Sequence, residues 1–167
     1  MDHEIYQLSE RLGAALKQRG WTLTAAESCT GGWISQAVTM VPGSSAWFDC
    51  AFVTYTNRSK RELLGVRPTT LEQQGAVSEL TVREMAQGAL DRTQADCSVA
   101  VSGVAGPAGG SSGKPVGTVW LAVASSEGGA VHARCLSLSG DRDAVRRQSV
   151  TEALKSLIQL TGITRSS

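Results

Sequence analysis

Apolar residues recur at helical spacing near the start of the chain. Ile5, Leu8, Leu12, Ala15 and Leu16 share one face, which predicts a helix from Ile5 to Arg19. Gly20 suits its C-terminus. Trp21 to Ala26 then reads as a short strand that runs into a polar turn, Glu27-Ser28-Cys29-Thr30-Gly31-Gly32. Ile34, Ala37, Val38 and Val41 predict a second helix, stopped by Pro42-Gly43. The run from Ala46 to Thr56 is strand-like, with Trp47, Phe48, Phe52, Val53 and Tyr55. Asn57 is a good N-cap for a helix ending at Gly65, and Ser78 opens a longer one reaching about Arg92. Cys97 to Val101 is a compact apolar strand. It delivers the chain into a glycine-rich loop, Ser102-Gly103-Val104-Ala105-Gly106-Pro107, that stays polar to Pro115. Val116 to Ser125 and Ala130 to Leu138 read as a hairpin around Gly128-Gly129. Asp141 caps a final helix whose buried face holds Val145, Val150, Ala153, Leu154, Leu157 and Ile158.

Strands alternating with helices early, followed by two consecutive strands, predict an α/β fold. The expected architecture is a three-layer α/β/α sandwich with a mixed sheet. Neither a repeat nor a linker divides the chain, so one domain over residues 1–167 is expected. In open α/β sheets, ligands bind beyond the carboxyl ends of the strands. Three polar segments, residues 27–32, 54–60 and 102–115, follow predicted strands. They converge on one rim if those strands are parallel.

Hydrophobic residues make up 41% of the chain and charged residues 19%, ordinary globular values. The net charge of +1 supplies no basic field, so a nucleic-acid partner is not expected. Four cysteines, Cys29, Cys50, Cys97 and Cys135, form no C-x-x-C pair, and there are only two histidines. No zinc template follows from that spacing, and no metal or cofactor is expected. Cys50, Cys97 and Cys135 lie in apolar strand-like runs and read as buried free thiols, which suits a reducing cytoplasm. No apolar run reaches membrane-spanning length and the N-terminus has no signal core, so a cytoplasmic protein is expected.

Chemistry concentrates in the three polar segments. Thr30, Gly31 and Gly32 open a helix, so their backbone N–H groups are available to an anion or a developing oxyanion. Ser28 lies just before them, placed to attack a carbonyl held there. Equally, Ser28 or Thr30 is an N-cap and the glycines tighten the turn. Cys29 is a rival nucleophile, but no nearby histidine promotes its thiolate. Without a usable histidine the base falls to a lysine, and Lys60 ends the second segment. With Asn57 as N-cap, Lys60 sits in the first helical turn, where the macrodipole and adjacent Arg58 and Arg61 disfavour its ammonium. The alternative is a solvated lysine on a basic helix. Tyr55 is placed to relay a proton or to hold the lysine. Glu27 either anchors the turn by accepting backbone N–H groups or contacts substrate. Ser44-Ser45, another polar turn before a strand, carries the same ambiguity.

The glycine-rich loop has the composition of a phosphate cradle but matches neither the Walker pattern nor the Rossmann fingerprint. Arg142 or Arg146, at the start of the last helix, suits bidentate grip on a phosphate. Intrahelical pairing with neighbours one turn away is the competing reading.

Taken together, these residues carry a likeness. Ala26-Glu27-Ser28-Cys29-Thr30-Gly31-Gly32, Pro42-Gly43-Ser44-Ser45-Ala46-Trp47-Phe48 and Val53-Thr54-Tyr55-Thr56-Asn57 with Lys60 resemble the CinA C-terminal domain family. So do Gly75-Ala76-Val77-Ser78, Ser102-Gly103-Val104-Ala105-Gly106-Pro107, Lys114-Pro115-Val116-Gly117-Thr118-Val119 and Gly140-Asp141-Arg142. The motifs fall in order from about residue 8 to 158. Stand-alone members of that family are nicotinamide-nucleotide amidases. The resemblance therefore implies hydrolysis of nicotinamide mononucleotide to nicotinate mononucleotide and ammonia, in pyridine-nucleotide salvage. It implies a serine nucleophile, a lysine base and an assisting tyrosine, mapping onto Ser28, Lys60 and Tyr55. The expected substrate-binding set is Glu27, Thr30, Gly31, Gly32, Ser44, Asn57, Gly103, Ala105, Gly106, Arg142 and Arg146. A small-molecule nucleotide substrate and a homodimer are expected, with no membrane partner. The alternatives are a non-catalytic nucleotide-binding module and an amidase for another small amide.

Overall fold

Ile5, Leu8, Leu12 and Leu16 lie buried along one side of helix α1 (His3–Arg19), as their spacing requires. The computed structural model describes residues 1–163. It continues with β1 (Leu23–Glu27), α2 (Trp33–Thr39), a 3-10 turn (Ser44–Ala46), β2 (Phe48–Val53) and α3 (Asn57–Leu64). Then come α4 (Pro68–Gln74), α5 (Glu79–Asp91), β3 (Cys97–Gly103), β4 (Thr118–Ser125), β5 (Val131–Ser137) and α6 (Arg142–Leu160).

The strands form one mixed sheet in the order β2-β1-β3-β4-β5. β1 runs parallel to both β2 and β3, and β4 runs antiparallel to β3 and β5. The three parallel strands therefore end at one rim. Gly103 pairs with Val119 and Thr118 with Ser137, so β4 starts and β5 ends there as well. All three polar segments converge on this rim, joined by the N-terminus of α6.

Side-chain alternation along the strands separates the two covering layers. Leu23, Ala25, Val99, Val101, Leu121 and Val123 face α1, α2 and α6. Ala26, Ala100, Ala122 and Ala124 face the layer of α3, α4 and α5. The expected three-layer α/β/α sandwich is what these faces build. The alanine face lets α5 settle close to the sheet, and the Ser98 hydroxyl donates to the Ala86 carbonyl of α5 at 2.8 Å. Gly88 sits where α5 crosses α3: a Cβ there would come within 1.9 Å of the Leu64 carbonyl oxygen.

Four local expectations need correction. Asn57 is the first residue of α3, not its cap. Thr56 is the cap, its hydroxyl accepting from the Ser59 N–H at 3.1 Å while Ser59 Oγ accepts from the Thr56 N–H at 3.1 Å. Helix α4 has no counterpart in the hydrophobic pattern, because Leu71 is its one buried aliphatic residue; its signal is Pro68 at the first helical position. Cys97 is buried, but Cys50 is half-buried and Cys135 exposed, since β2 and β5 are the sheet's edges. β4 begins at Thr118, two residues beyond the expected Val116. Among the described residues, no helix is long and apolar enough to cross a membrane.

Candidate active site

β1 brings Ser28 to the rim, and α3 brings Lys60 to meet it. Lys60 Nζ lies 2.9 Å from Ser28 Oγ and donates to the Thr54 carbonyl at 2.7 Å. Lys60 is 1% exposed and Ser28 is 8% exposed, so the pair is shielded from bulk water. Burial pushes the Lys60 ammonium down from 10.5 to about 8, because the charged form loses its hydration; the neighbouring Cys29 acts in the opposite sense. The neighbouring arginines, expected to help, do not supply this effect. Arg58 turns outward to Glu62 at 2.8 Å, and desolvation is the cause. Burial pushes the Cys29 thiol up to about 11, which leaves it un-ionised and a weak nucleophile near neutral pH.

Glu27 organises the turn that carries Ser28. One carboxylate oxygen accepts from the Thr30 hydroxyl at 2.6 Å, the Gly32 N–H at 3.1 Å and the Ile34 N–H at 3.0 Å. The other accepts from the Ser35 N–H at 2.9 Å and its hydroxyl at 2.6 Å. Glu27 is fully buried, and both oxygens are used at the start of α2. Of the two readings open for it, this is the anchoring one. Its backbone carbonyl also accepts from the Thr54 N–H at 2.8 Å, so the same residue tethers the one whose carbonyl Lys60 binds.

The turn's own N–H groups divide. Gly31 N–H donates to the Ser28 carbonyl at 2.9 Å, and Gly32 N–H is taken by Glu27. The N–H groups of Cys29 and Thr30 have no protein partner among the described residues. Gly31 and Gly32 adopt φ of 60° and 97°, a backbone that side chains resist, and this sends the chain sharply from the strand into α2. Of the donors expected at Thr30, Gly31 and Gly32, only the Thr30 N–H is unengaged, and the Cys29 N–H joins it.

The two candidate arginines of α6 go to different places. Arg146 Nε donates to the Cys29 carbonyl and Nη2 to the Thr30 carbonyl, each at 3.1 Å, and the guanidinium lies 5.3 Å from the Trp33 ring centre. Arg142 Nη2 donates to the Tyr55 hydroxyl and Nη1 to the Gly106 carbonyl, each at 2.8 Å. Neither makes the intrahelical pair that their spacing allows. Tyr55 is 57% exposed at the mouth of the site, and its hydroxyl is engaged by Arg142 rather than by Ser28 or Lys60.

The family model of the CinA C-terminal domain matches residues 5–161. This chain belongs to that family. It is 57% identical over 159 residues to the nicotinamide-nucleotide amidohydrolase PncC of Escherichia coli (strain K12), covering 95% of each chain. With the protein of the same name from Pseudomonas putida it shares 51% identity over 156 residues, covering 93% of this chain and 96% of that one. Among solved structures, the competence/damage inducible protein CihA from Agrobacterium tumefaciens matches with a TM-score of 0.93 at 44% identity, over 96% of this chain and 97% of that one.

Other positions singled out in this CinA C-terminal domain are not all near the pair. Ser44 lies in the 3-10 turn before β2. A turn that leads into a parallel strand stands at the strand's amino end, so Ser44 is on the opposite rim from Ser28. Asn57 is exposed at the start of α3, one turn before Lys60. Gly103 closes β3, buried Ala105 packs in the α1-side core, and Gly106 presents its carbonyl to Arg142. Residue-level reading missed Thr54, whose backbone holds the lysine. A backbone carbonyl leaves no mark on residue type, so no sequence signal pointed to it.

Proposed function

We propose that this chain is a nicotinamide-nucleotide amidase that hydrolyses nicotinamide mononucleotide to nicotinate mononucleotide and ammonia, within pyridine-nucleotide salvage. The names of the E. coli and P. putida relatives support this reading. One geometric observation carries it: a buried lysine with its Nζ 2.9 Å from a serine hydroxyl.

Neutral Lys60 keeps one N–H on the Thr54 carbonyl and turns its lone pair to the Ser28 hydroxyl. Ser28 Oγ bonds to the carboxamide carbon as Lys60 takes its proton. The N–H groups of Cys29 and Thr30 receive the carbonyl oxygen as it becomes an oxyanion. Lys60 returns the proton to the amide nitrogen, the C–N bond breaks and ammonia leaves. Water, deprotonated by the same lysine, then opens the acyl-enzyme to give the carboxylate and regenerate Ser28. Tyr55 and Arg142 close the mouth of the site. Arg142 and the backbone from Gly103 to Gly106 are the proposed seat of the 5′-phosphate. The proposal includes a cytoplasmic location, one amidase domain and a homodimer.

The test is ammonia release from nicotinamide mononucleotide by the purified protein, with nicotinate mononucleotide formed in equal amount. Binding of the nucleotide with no ammonia released would leave a non-catalytic module instead. Release from other amides at equal or greater kcat/KM would make the substrate wrong.

A further inference from the structure

The hydrogen bonds of Arg146 all go to the main chain of the nucleophile turn, and peptide geometry gives that contact a consequence. In a trans peptide the carbonyl and the following N–H point in opposite directions within one plane. Arg146 Nε holds the Cys29 carbonyl at 3.1 Å, so it holds the Thr30 N–H pointing away from α6. That N–H has no protein partner among the described residues. The peptide before it is fixed in a similar way, because the Ser28 carbonyl accepts from Gly31 N–H at 2.9 Å, which orients the Cys29 N–H. The Thr30 carbonyl, held by Arg146 Nη2 and by the Trp33 N–H, each at 3.1 Å, keeps the Gly31 N–H in that bond. Three successive peptide planes are thereby set; the guanidinium alone holds the Cys29 carbonyl and shares the Thr30 carbonyl with the Trp33 N–H. A cation on a carbonyl also draws electron density along the amide and strengthens its N–H as a donor. Trp33 lies against the guanidinium, 5.3 Å from ring centre to Cζ, and limits how far it swings.

We propose that Arg146 is a positioning residue for the oxyanion site: it orients and polarises the Thr30 N–H and does not grip the substrate phosphate. This rests on the amidase reading only through Ser28 acting as nucleophile. Lysine cannot replace Arg146, because one ammonium does not span two carbonyls in the plane of a guanidinium fork.

The experiment compares wild type, Arg146→Ala and Arg146→Lys by steady-state ammonia release and by phosphonylation of Ser28 with a fluorophosphonate. In the second assay Ser28 Oγ bonds to phosphorus, fluoride leaves and Lys60 takes the proton, so it needs the same donors but no nucleotide. Loss of one oxyanion donor costs on the order of a hundredfold. Both variants are expected to lose about that in kcat and in phosphonylation rate, with KM within a few-fold of wild type. Arg147→Ala is the control for helix α6. Its guanidinium goes to Asp2 and Glu4 of the N-terminal segment, so it should lower the melting temperature and leave both rates alone. Three results would overturn the proposal: a raised KM with unchanged kcat, an Arg146→Lys enzyme equal to wild type, or phosphonylation unaffected in Arg146→Ala. If wild type releases no ammonia, the amidase reading fails and the phosphonylation ratio still decides the role of Arg146. A wild-type Ser28 that resists the reagent sinks both.

Discussion

Two loops meet at the same rim of the sheet and are built on opposite principles. The turn at 28–32 begins with three buried residues, Ser28, Cys29 and Thr30, and its polar groups are bound by a buried carboxylate and a guanidinium from another layer. The glycine-rich loop runs exposed from Pro107 to Gly113 and is tied mainly at its ends. Val104 N–H donates to the Thr118 carbonyl at 2.9 Å and Gly117 N–H to the Val104 carbonyl at 2.8 Å, Arg142 reaches Gly106, and Lys114 Nζ reaches the Gln74 carbonyl at 2.6 Å. Bond-making geometry needs atoms held to a fraction of an ångström, which only satisfied, water-excluded contacts provide. Recognition of a substrate that must enter and leave needs a surface that yields. Under the proposed amidase function, the difference would give turnover to the buried turn and affinity to the exposed loop.

The most damaging way to test that division is to remove the proposed base. Lys60→Met preserves the length and packing of the side chain while deleting the amine. Turnover is expected to fall by a factor on the order of 10⁴ or more. Wild-type kcat/KM should rise about tenfold per pH unit in acid and level off above about 8, because only the neutral amine accepts the serine proton. The sign follows from the direction of the shift: burial lowers the value, so the active neutral form appears at lower pH than for an exposed lysine. A flat profile from pH 6 to 9, with chemistry rate-limiting, would mean that Lys60 is not the base. Next in size is Glu27→Gln. The amide NH₂ would face backbone N–H and hydroxyl donors that both oxygens now accept. The expected loss is about 3 kcal/mol of stability, seen as a fall in melting temperature of about 10 °C. A kcat loss greater than tenfold should accompany it as the turn loosens. An unchanged melting temperature would show that the anchor is not what holds the turn.

How much of this was legible in the residues depends on the range of the contact involved. Elements set by local periodicity were readable: the apolar stripe of α1, the caps at Ser78 and Asp141, and the glycine stop after α3 all stand as expected. The convergence of three polar segments was readable only on the condition that their strands are parallel, which the sheet meets. Lys60 was harder. Its helix begins Asn57-Arg58-Ser59-Lys60-Arg61, which reads as a solvated face, and only packing against Thr54 and Ser28 buries one amine among exposed neighbours. Pairing it with a serine 32 positions away rested on the missing histidine base and on family likeness, and not on spacing. The α6 arginines show the same limit. Asp141, Arg142, Asp143, Arg146 and Arg147 look self-sufficient on one helix, yet Arg142, Arg146 and Arg147 take partners 36 to 145 residues distant. Such choices are made by the tertiary fold, which sets whether an extended side chain ends in water or on a carbonyl.

The smallest expected effect probes the yielding loop. Lys114 Nζ donates to the Gln74 carbonyl at the end of α4, joining the glycine-rich loop to the opposite layer through one partly exposed bond. Surface contacts of this kind contribute about 0.5–1 kcal/mol at most, so Lys114→Met should move the melting temperature by only about 2 °C. The bond nevertheless limits where the loop rests relative to the site mouth, and losing it widens the range of loop positions among which the nucleotide must select. Affinity falls in proportion to the fraction of time the loop is competent. KM is therefore expected to rise a few-fold with kcat unchanged. The opposite split, kcat reduced tenfold at constant KM, would mean that the exposed loop takes part in setting the reacting atoms and that the division between the two loops is wrong.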